Sequence, residues 1–504
     1  MKNFTSKKLS SFRTAKLAIC ISVVSMFAAF TSQAQTTQYI HKVVLQGFWW
    51  DYYNANYRYN WANYLCELAP RLKALGIDGV WVPPVVKNGS SGSVGYSPFD
   101  PYDLGDKYQK GGGDGVRDST RVGTKDDLLR LIAVLHANGI EAITDAVLNH
   151  NDGAGTNTSK GGIDSNQTYS LATNNGYKNF RYISYKTPGL DESFYDYYTR
   201  AGRWLKNYQN FHPNPVHPTC APNELDICSA FFGPDIDYED AGAIGQSSDI
   251  PTTGTATILG ITRPFINPVQ PSNYMSTNVR DWMKWYKKQT GFDGYRFDAV
   301  KHFPISTQQN IVSDVKYNIP AFAAGGQNMF CIGEWVSGAT DIDSYVGNVK
   351  LPPALTPVAG GEEAVGAFDF SLRGYGPNGG IYSMVLNLGS YNMQNLPNDR
   401  QSKRWMDYGT KRVYRTSPFV NSHDTYRPRL DSVGNFLRPV GDPSGWPCNN
   451  AGNCTLPYCL EQGGGCGQEL GGNGAHIDPR EPRLAAAYAA AMSFDGNPDR
   501  KSVV

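Results

Sequence analysis

The 504-residue sequence has almost no charge imbalance: Lys and Arg number 46, Asp and Glu 45, for a formal net charge of +1. A protein that grips nucleic acid or an anionic membrane surface does so through a basic surplus, and that surplus is missing. Neither nucleic acid nor membrane is therefore an expected partner; a neutral one is. Past the first 34 residues no segment reaches the ~20 consecutive apolar residues that a membrane span requires. The nine cysteines contain no paired CxxC spacing, which weakens a zinc site. What is abundant is aromatic: 12% of the chain, with 31 Tyr and 10 Trp. Such rings pack cores, and they also suit the apolar faces of sugars.

The N-terminal segment reads as an export signal. "MKNFTSKKLSSFRTAK" is basic, "LAICISVVSMFAAF" is apolar but too short to span a membrane, and "TSQA" puts Ser32 and Ala34 where a signal peptidase wants small residues. Residues 1–34 are assigned to a signal peptide and the protein to the extracellular or periplasmic space. In an oxidising compartment the loop cysteines become candidate staples. Cys220 and Cys228 form one close pair, whereas Cys448, Cys454, Cys459 and Cys466, in a Cys-rich loop at 440–470, allow three pairings. Cys66 and Cys331 lie in apolar segments and read as buried thiols.

Along the chain, short β-branched or aromatic runs alternate with helical patterns. "KVVLQGFWW", "DGVWVPPV", "EAITDAVLNH", "GFDGYRFD", "MFCIGEW", "AVGAFDFSL" and "TSPFVNSHD" read as seven successive strands. Between the first two, "NYLCELAPRLKAL" puts Leu65, Leu68, Leu72 and Leu75 on one helical face. Before the third, "GTKDDLLRLIAVLHANG" opens with a Thr124 cap and Asp127 three residues on. So many βα units in series favour an α/β fold of the (β/α)8 TIM-barrel type, with functional residues at the strand C-terminal ends. Residues 151–272, rich in Gly, Asn, Pro and Tyr, are too many for a βα loop. They are expected to form a domain inserted after strand 3, between barrel parts at 35–150 and 273–504. The helix "EPRLAAAYAAAMSF" reads as the one after strand 7, so Ser502–Val504 would only begin strand 8. A chain cut short of its last barrel strand is the expectation.

The stretch "TGFDGYRFDAVKHF" raises the chemical question, because it crowds Arg296, Asp298, Lys301 and His302 at the end of an apolar run. Asp298, Glu334 and Asp424 end three different strands, which brings three acids to one barrel rim. Two carboxylates about 5 Å apart are what a retaining glycosidase needs, one as nucleophile and one as proton donor. Arg296 beside Asp298 is expected to hold the nucleophile ionised.

In these segments the chain resembles the α-amylase family, glycoside hydrolase family 13. "DAVLNH", "GYRFDAVKH", "GEWV" and "FVNSHD" look like its four ordered sequence regions, "GPDIDYED" like a motif of its inserted domain, and "GYSPFDPYDLGDKYQKG" like its loop after strand 2. The likeness runs from about residue 42 to 504. It implies Asp298 as nucleophile, Glu334 as general acid/base and Asp424 as the carboxylate that grips sugar hydroxyls. It implies Tyr96, stacking on the sugar, with His150, Arg296 and His423, as lining of the subsite holding the sugar that is cleaved. Lys301 and His302 match the pair found in members acting on α-1,4 links. It further implies a structural Ca2+ held by Asn149 and Asp235 through side-chain oxygens and by His302 through its backbone carbonyl, and oxygen ligands suit calcium on general grounds.

Two departures stand out. Ser422 occupies a position where the family usually has Asn, and the family's C-terminal β-domain is not visible. The expected activity is retaining endo-hydrolysis of α-1,4-glucosidic bonds in starch, glycogen or maltodextrins by a monomer. A transglycosylase or maltooligosaccharide-forming enzyme of the same family is the alternative. A non-catalytic glycan-binding protein is an alternative of another class, which predicts loss of at least one of the three acids; all are present.

Overall fold

The computed structural model of the chain describes residues 42–151 with short gaps, 204, 210, 235–239, 253–258, 261–266, 271–316, 329–351, most of 362–386, 394–395, 405–414 and 416–423 with short gaps, 487–489, 491 and 499–501. Residues 1–34, expected to be a signal peptide, most of 151–272, the six loop cysteines and Asp424 lie outside the described residues.

Eight parallel strands form one sheet. They are β1 Val44–Gln46, β2 Gly79–Val82, β3 Glu141–Ala146, β4 Gly294–Phe297, β5 Phe330–Gly333, β6 Gly366–Phe368, β7 Thr416–Ser417 and β8 Asp499–Lys501. From β1 to β7 each strand lies beside its predecessor, and β8 lies on the other side of β1. Neighbour-to-neighbour progression that brings the last strand to the first is the cyclic order of a (β/α)8 barrel; an open doubly wound sheet would reverse direction midway. One expectation is corrected here: the eighth position is filled by Asp499–Lys501, in register with Val44–Gln46, so the strand starts before Ser502. The "KSVV" ending hid it, because a three-residue run that opens with Asp, Arg and Lys carries no apolar signature.

The strands are shorter than their apolar runs. In "AVGAFDFSL" the strand stops at Phe368, because Asp369 turns the chain by capping the helix Phe370–Arg373, its side chain accepting from the Leu372 amide. β2 is buried throughout, as parallel strands covered on both faces must be.

The helices obey their local signals. Helix α1, Trp61–Ala74, starts at Asn60, whose side chain accepts from the Asn63 amide. Leu65 and Leu72 are buried, but Leu75 is 60% exposed; the helix stops one residue short of it, so Leu75 leaves the apolar face it was expected to extend. Helix α2, Lys125–Ala137, carries the full reciprocal capping box of Thr124 and Asp127, each side chain satisfying an otherwise orphaned amide. Helix α3, Tyr274–Thr290, ends on Gly291 in the left-handed conformation, where the missing Cβ removes the penalty. Among the described residues no helix is long and apolar enough to cross a membrane.

Because all eight strands are parallel, their C-terminal ends share one rim. Gln46, Ala146, Phe297, Gly333, Phe368 and Ser417 stand there, and the residues just beyond them build the site.

Candidate active site

Strands β3 and β4 lie in a register that sets Arg296 opposite Asp145. Arg296, 2% exposed, becomes a hub. Its Nη1 donates to Asp145 Oδ1 at 2.8 Å and to Asp298 Oδ1, and its Nη2 meets Glu334 Oε2 at 2.8 Å. One guanidinium thus collects acids from the ends of β3, β4 and β5, as only a planar fork of donors can. The indole of Trp81 and the ring of Tyr96 lie 5.3 and 5.9 Å from its carbon.

Backbone geometry supports the cluster. Ala299, directly after Asp298, sits at φ 48°, a left-handed conformation unusual for a residue with a side chain. The turn presents the Ala299 amide to Glu334 Oε2 at 3.1 Å. Glu334 is also fixed from behind: a Cβ on Gly333 would lie 2.2 Å from the Tyr345 hydroxyl, so only glycine lets Tyr345 pack against that backbone while its ring stacks on Trp335 at 5.1 Å.

The electrostatics differ from the expectation that Arg296 simply keeps Asp298 ionised. Burial pushes the Asp298 carboxyl well above the usual range; Arg296 pulls the other way, and Glu334 and Asp145 add to the rise. Asp145 is raised to about 6 by burial against the pull of Arg296 and of a Tyr96 hydrogen bond. Burial also works against the charge of Arg296, yet its three acids outweigh that and keep it firmly protonated. The single positive charge of Arg296 does not offset the cost of burial at Asp145 or Asp298, and both stay raised.

A second layer wraps this core. Tyr96 Oη donates to Asp145 Oδ2 at 2.6 Å, and the Tyr96 ring stacks on His423 with centroids 5.1 Å apart and planes 10° off parallel. His150 Nε2 is 2.8 Å from the Tyr96 carbonyl, and burial lowers its pKa to about 4. His423 is held by Gln46 through both its backbone amide and its ring. Lys301 stands half-buried in the 3-10 turn Val300–His302, and His302 is buried there. Not every rim acid joins: Asp369 spends its oxygens on the Leu372 amide and on the Ser371 and Thr416 hydroxyls.

Beside the site, Asn149 and Asp235 meet across 86 residues of sequence. Asn149 Nδ2 donates to Asp235 Oδ1 at 2.7 Å, the Ile236 amide donates to the Asn149 carbonyl, and His150 pairs with Asp235 as an isolated bridge. Tyr238 Oη donates to the Leu148 carbonyl at 2.7 Å, and its ring lies 5.9 Å from that of Phe303, next to His302. Three segments expected to share a calcium ion are therefore neighbours. The Asn149 side-chain oxygen is buried without a hydrogen-bond partner, which fits an oxygen ligand for a hard cation. Among the described residues no cluster of three His, Cys, Asp or Glu side chains could hold a metal; an amide, a carboxylate and a backbone carbonyl would not form one.

Of the expected residues, Tyr96, His150, Arg296, Asp298, Glu334 and His423 converge. Asp424 lies outside the described residues. Asp145, Gln46 and Trp81 were missed as site residues. Gln46 and Asp145 carried the signal that raised Arg296: a polar side chain inside an apolar strand.

Residues 67–204 match the family model described as "Alpha amylase, catalytic domain", and curated α-amylases align with 281 and 352 residues of the chain. Over residues 67–204 the chain is similar to the α-amylase family. It is 24% identical over 448 residues to the glucan 1,4-alpha-maltohexaosidase of Bacillus sp. (strain 707), covering 84% of this chain and 71% of that protein. It is 28% identical over 281 residues to the alpha-amylase of Geobacillus stearothermophilus, covering 55% of this chain and 45% of that one. With the alpha-amylase of Bacillus licheniformis the identity is 24% over 352 residues, 69% of this chain and 57% of that protein. The chain therefore spans about half the length of the latter two. In this chain the Arg296 hub ties the segments around Asp145, Asp298 and Glu334 to one place.

Proposed function

We propose that the protein is a retaining endo-hydrolase of α-1,4-glucosidic bonds in starch, glycogen or maltodextrins. The observation that carries this reading is Arg296 holding Asp298 and Glu334 on the two terminal nitrogens of one guanidinium. Asp298 attacks the anomeric carbon while Glu334 gives its proton to the departing glycosidic oxygen. A covalent glycosyl-enzyme results. Glu334 then takes a proton from water, whose oxygen displaces Asp298 and restores both groups. Burial raises Asp298 in the free protein, and positive charge developing on the sugar ring would favour its ionised form. Asp424 grips sugar hydroxyls, and His150, His423, Tyr96 and Lys301 line the substrate path. Tyr96, already stacked on His423, is the ring proposed to meet the sugar.

Calcium would be held by Asn149, Asp235 and the His302 carbonyl. It would supply no chemistry of its own; it ties the inserted segment to the barrel beside the site. Signal cleavage near residue 34, export, disulfide staples in the loops and a monomeric state complete the reading.

A second reading is favoured by one relative's name, a maltohexaosidase: release of short maltooligosaccharides, or transfer to another sugar, uses the same acids. Sizing products from soluble starch and from one defined maltooligosaccharide separates them. A rapid fall in chain length with mixed products supports endo-hydrolysis. A single short product, or products longer than the donor, supports the second reading, and no cleavage overturns both.

A further inference from the structure

Gln46 ends β1 and is fully buried, yet none of the proposed steps uses it. Its amide makes two hydrogen bonds to one residue 377 positions away: Oε1 lies 3.0 Å from the His423 backbone nitrogen, and Nε2 lies 2.6 Å from His423 Nδ1. Carbonyl and amino ends of a glutamine are interchangeable by a flip, and a histidine ring can protonate at either nitrogen. Here one partner removes both ambiguities. A backbone N–H can only donate, so the atom facing it must be the Gln46 carbonyl oxygen. The amino group then faces Nδ1, and because an amino group can only donate, Nδ1 must accept. An accepting Nδ1 carries no proton, which leaves the proton on Nε2.

We infer that Gln46 is a positioning residue that locks His423 as the neutral tautomer with its proton on Nε2, so that the ring meets an α-glucan as an uncharged N–H group rather than as an imidazolium. The surroundings agree. His423 is 4% exposed and lies among the rings of Tyr96, Phe48 and Trp81 at 5.1, 5.2 and 5.8 Å. Protonating Nδ1 would set two N–H donors against each other at 2.6 Å, and turning the amide over to relieve that clash would set the Gln46 amino group against the His423 backbone N–H. Neither move is free in a buried site, because each leaves a donor unmet. The role given to the Nε2–H rests on the α-glucan reading above; the tautomer does not.

The test is long-range 15N–1H correlation NMR on the full chain labelled with 15N-histidine, the His423 signals being assigned by their loss in His423→Gln. The expected spectrum has a protonated Nε2 and a bare Nδ1. In Gln46→Glu both carboxylate oxygens accept, one from the backbone amide and one from the ring, so a proton should appear on Nδ1. With that change, kcat/KM on soluble starch should fall roughly 10- to 100-fold. A protonated Nδ1 in the parent overturns the inference even if the variant does not fold, and so does a Gln46→Glu ring spectrum identical to the parent's. A parent with the expected tautomer that cleaves no α-glucan leaves the lock standing and overturns the functional proposal instead.

Discussion

Tyr96 and His423 lie face to face, ring centroids 5.1 Å apart and planes 10° from parallel. The two residues come from the segments after β2 and β7, so the stack crosses the barrel mouth. Each ring is anchored at its far side, His423 by Gln46 and Tyr96 by Asp145. Asp145 in turn binds Arg296, which binds Asp298 and Glu334. One contact network therefore links the first strand of the barrel to the acids of the fourth and fifth.

Tyr96→Phe keeps the stack and deletes one donor to a buried carboxylate, at a cost of about 1.5–3 kcal/mol when that carboxylate is charged. The pH dependence follows from sign. Asp145 titrates higher in the fold, at about 6, than its ordinary 3.8, so the fold is favoured while the acid is protonated and loses that advantage as pH rises through 6. Removing the hydroxyl raises the folded pKa further. Urea unfolding should show a deficit relative to the parent that is larger at pH 8 than at pH 5; a deficit independent of pH would remove Asp145 as its cause.

Glu334→Gln retains shape and loses the transferable proton. Turnover of soluble starch should fall by on the order of 10²–10⁴-fold, with starch affinity nearly unchanged. Activity within tenfold of the parent would sink the acid/base assignment.

Arg296→Lys keeps the charge but not the fork. A lysine is a point charge on a flexible stem and cannot hold acids from three strands in fixed directions. The expected result is a loss of roughly 10²-fold or more in kcat/KM, with the acid limb of the pH–rate profile displaced upward, since burial already holds Asp298 high and the arginine is what opposes it. An unmoved acid limb would mean that Arg296 does not govern the ionisation of Asp298.

The barrel was legible because its periodicity is strong: seven apolar runs separated by helical patterns leave few other topologies, and the Thr124–Asp127 box marks its helix without ambiguity. The eighth strand was not, because Asp499–Lys501 is charged and recognisable only by its register with Val44–Gln46. The acids at the ends of β4 and β5 could be read from single segments. Gln46 could not, because its partner lies 377 residues away and no local pattern pairs a strand-end glutamine with a distant histidine. The raised Asp298 pKa was hidden for a related reason: the sequence shows one arginine two residues from one acid, while the fold makes that arginine serve three.

Ala299 tests the turn that joins the proposed nucleophile to the proposed acid. At φ 48° an L-residue bears roughly 1–2 kcal/mol of strain, which glycine avoids at an entropic cost of about 0.5–1 kcal/mol. Ala299→Gly should therefore leave stability within about 1 kcal/mol of the parent, while Ala299→Val, branched at Cβ, should lose a further 1–3 kcal/mol or so and misdirect the amide that meets Glu334 Oε2. Thermal unfolding of both variants checks this; a valine variant as stable as the glycine one would mean that the turn relaxes without cost.

Calcium should act on stability before it acts on rate. An ion bound only by the folded chain stabilises it by mass action, about 2.7 kcal/mol at a concentration 100 times Kd, and Asn149 and Asp235 are in contact only when the 235–239 segment is docked on the strand 3 end of the barrel. EDTA should therefore lower the melting temperature of the full chain and added calcium should restore it. Asp235→Ala should melt at the lower temperature with or without EDTA, because the carboxylate that would face the ion is gone, whereas Glu334→Gln, outside the ligand set, should keep the full calcium response. A parent whose melting temperature ignores EDTA, or an Asp235→Ala variant that still responds to calcium, would remove the ion from this corner of the barrel and leave the buried Asn149 oxygen to be explained by the protein alone.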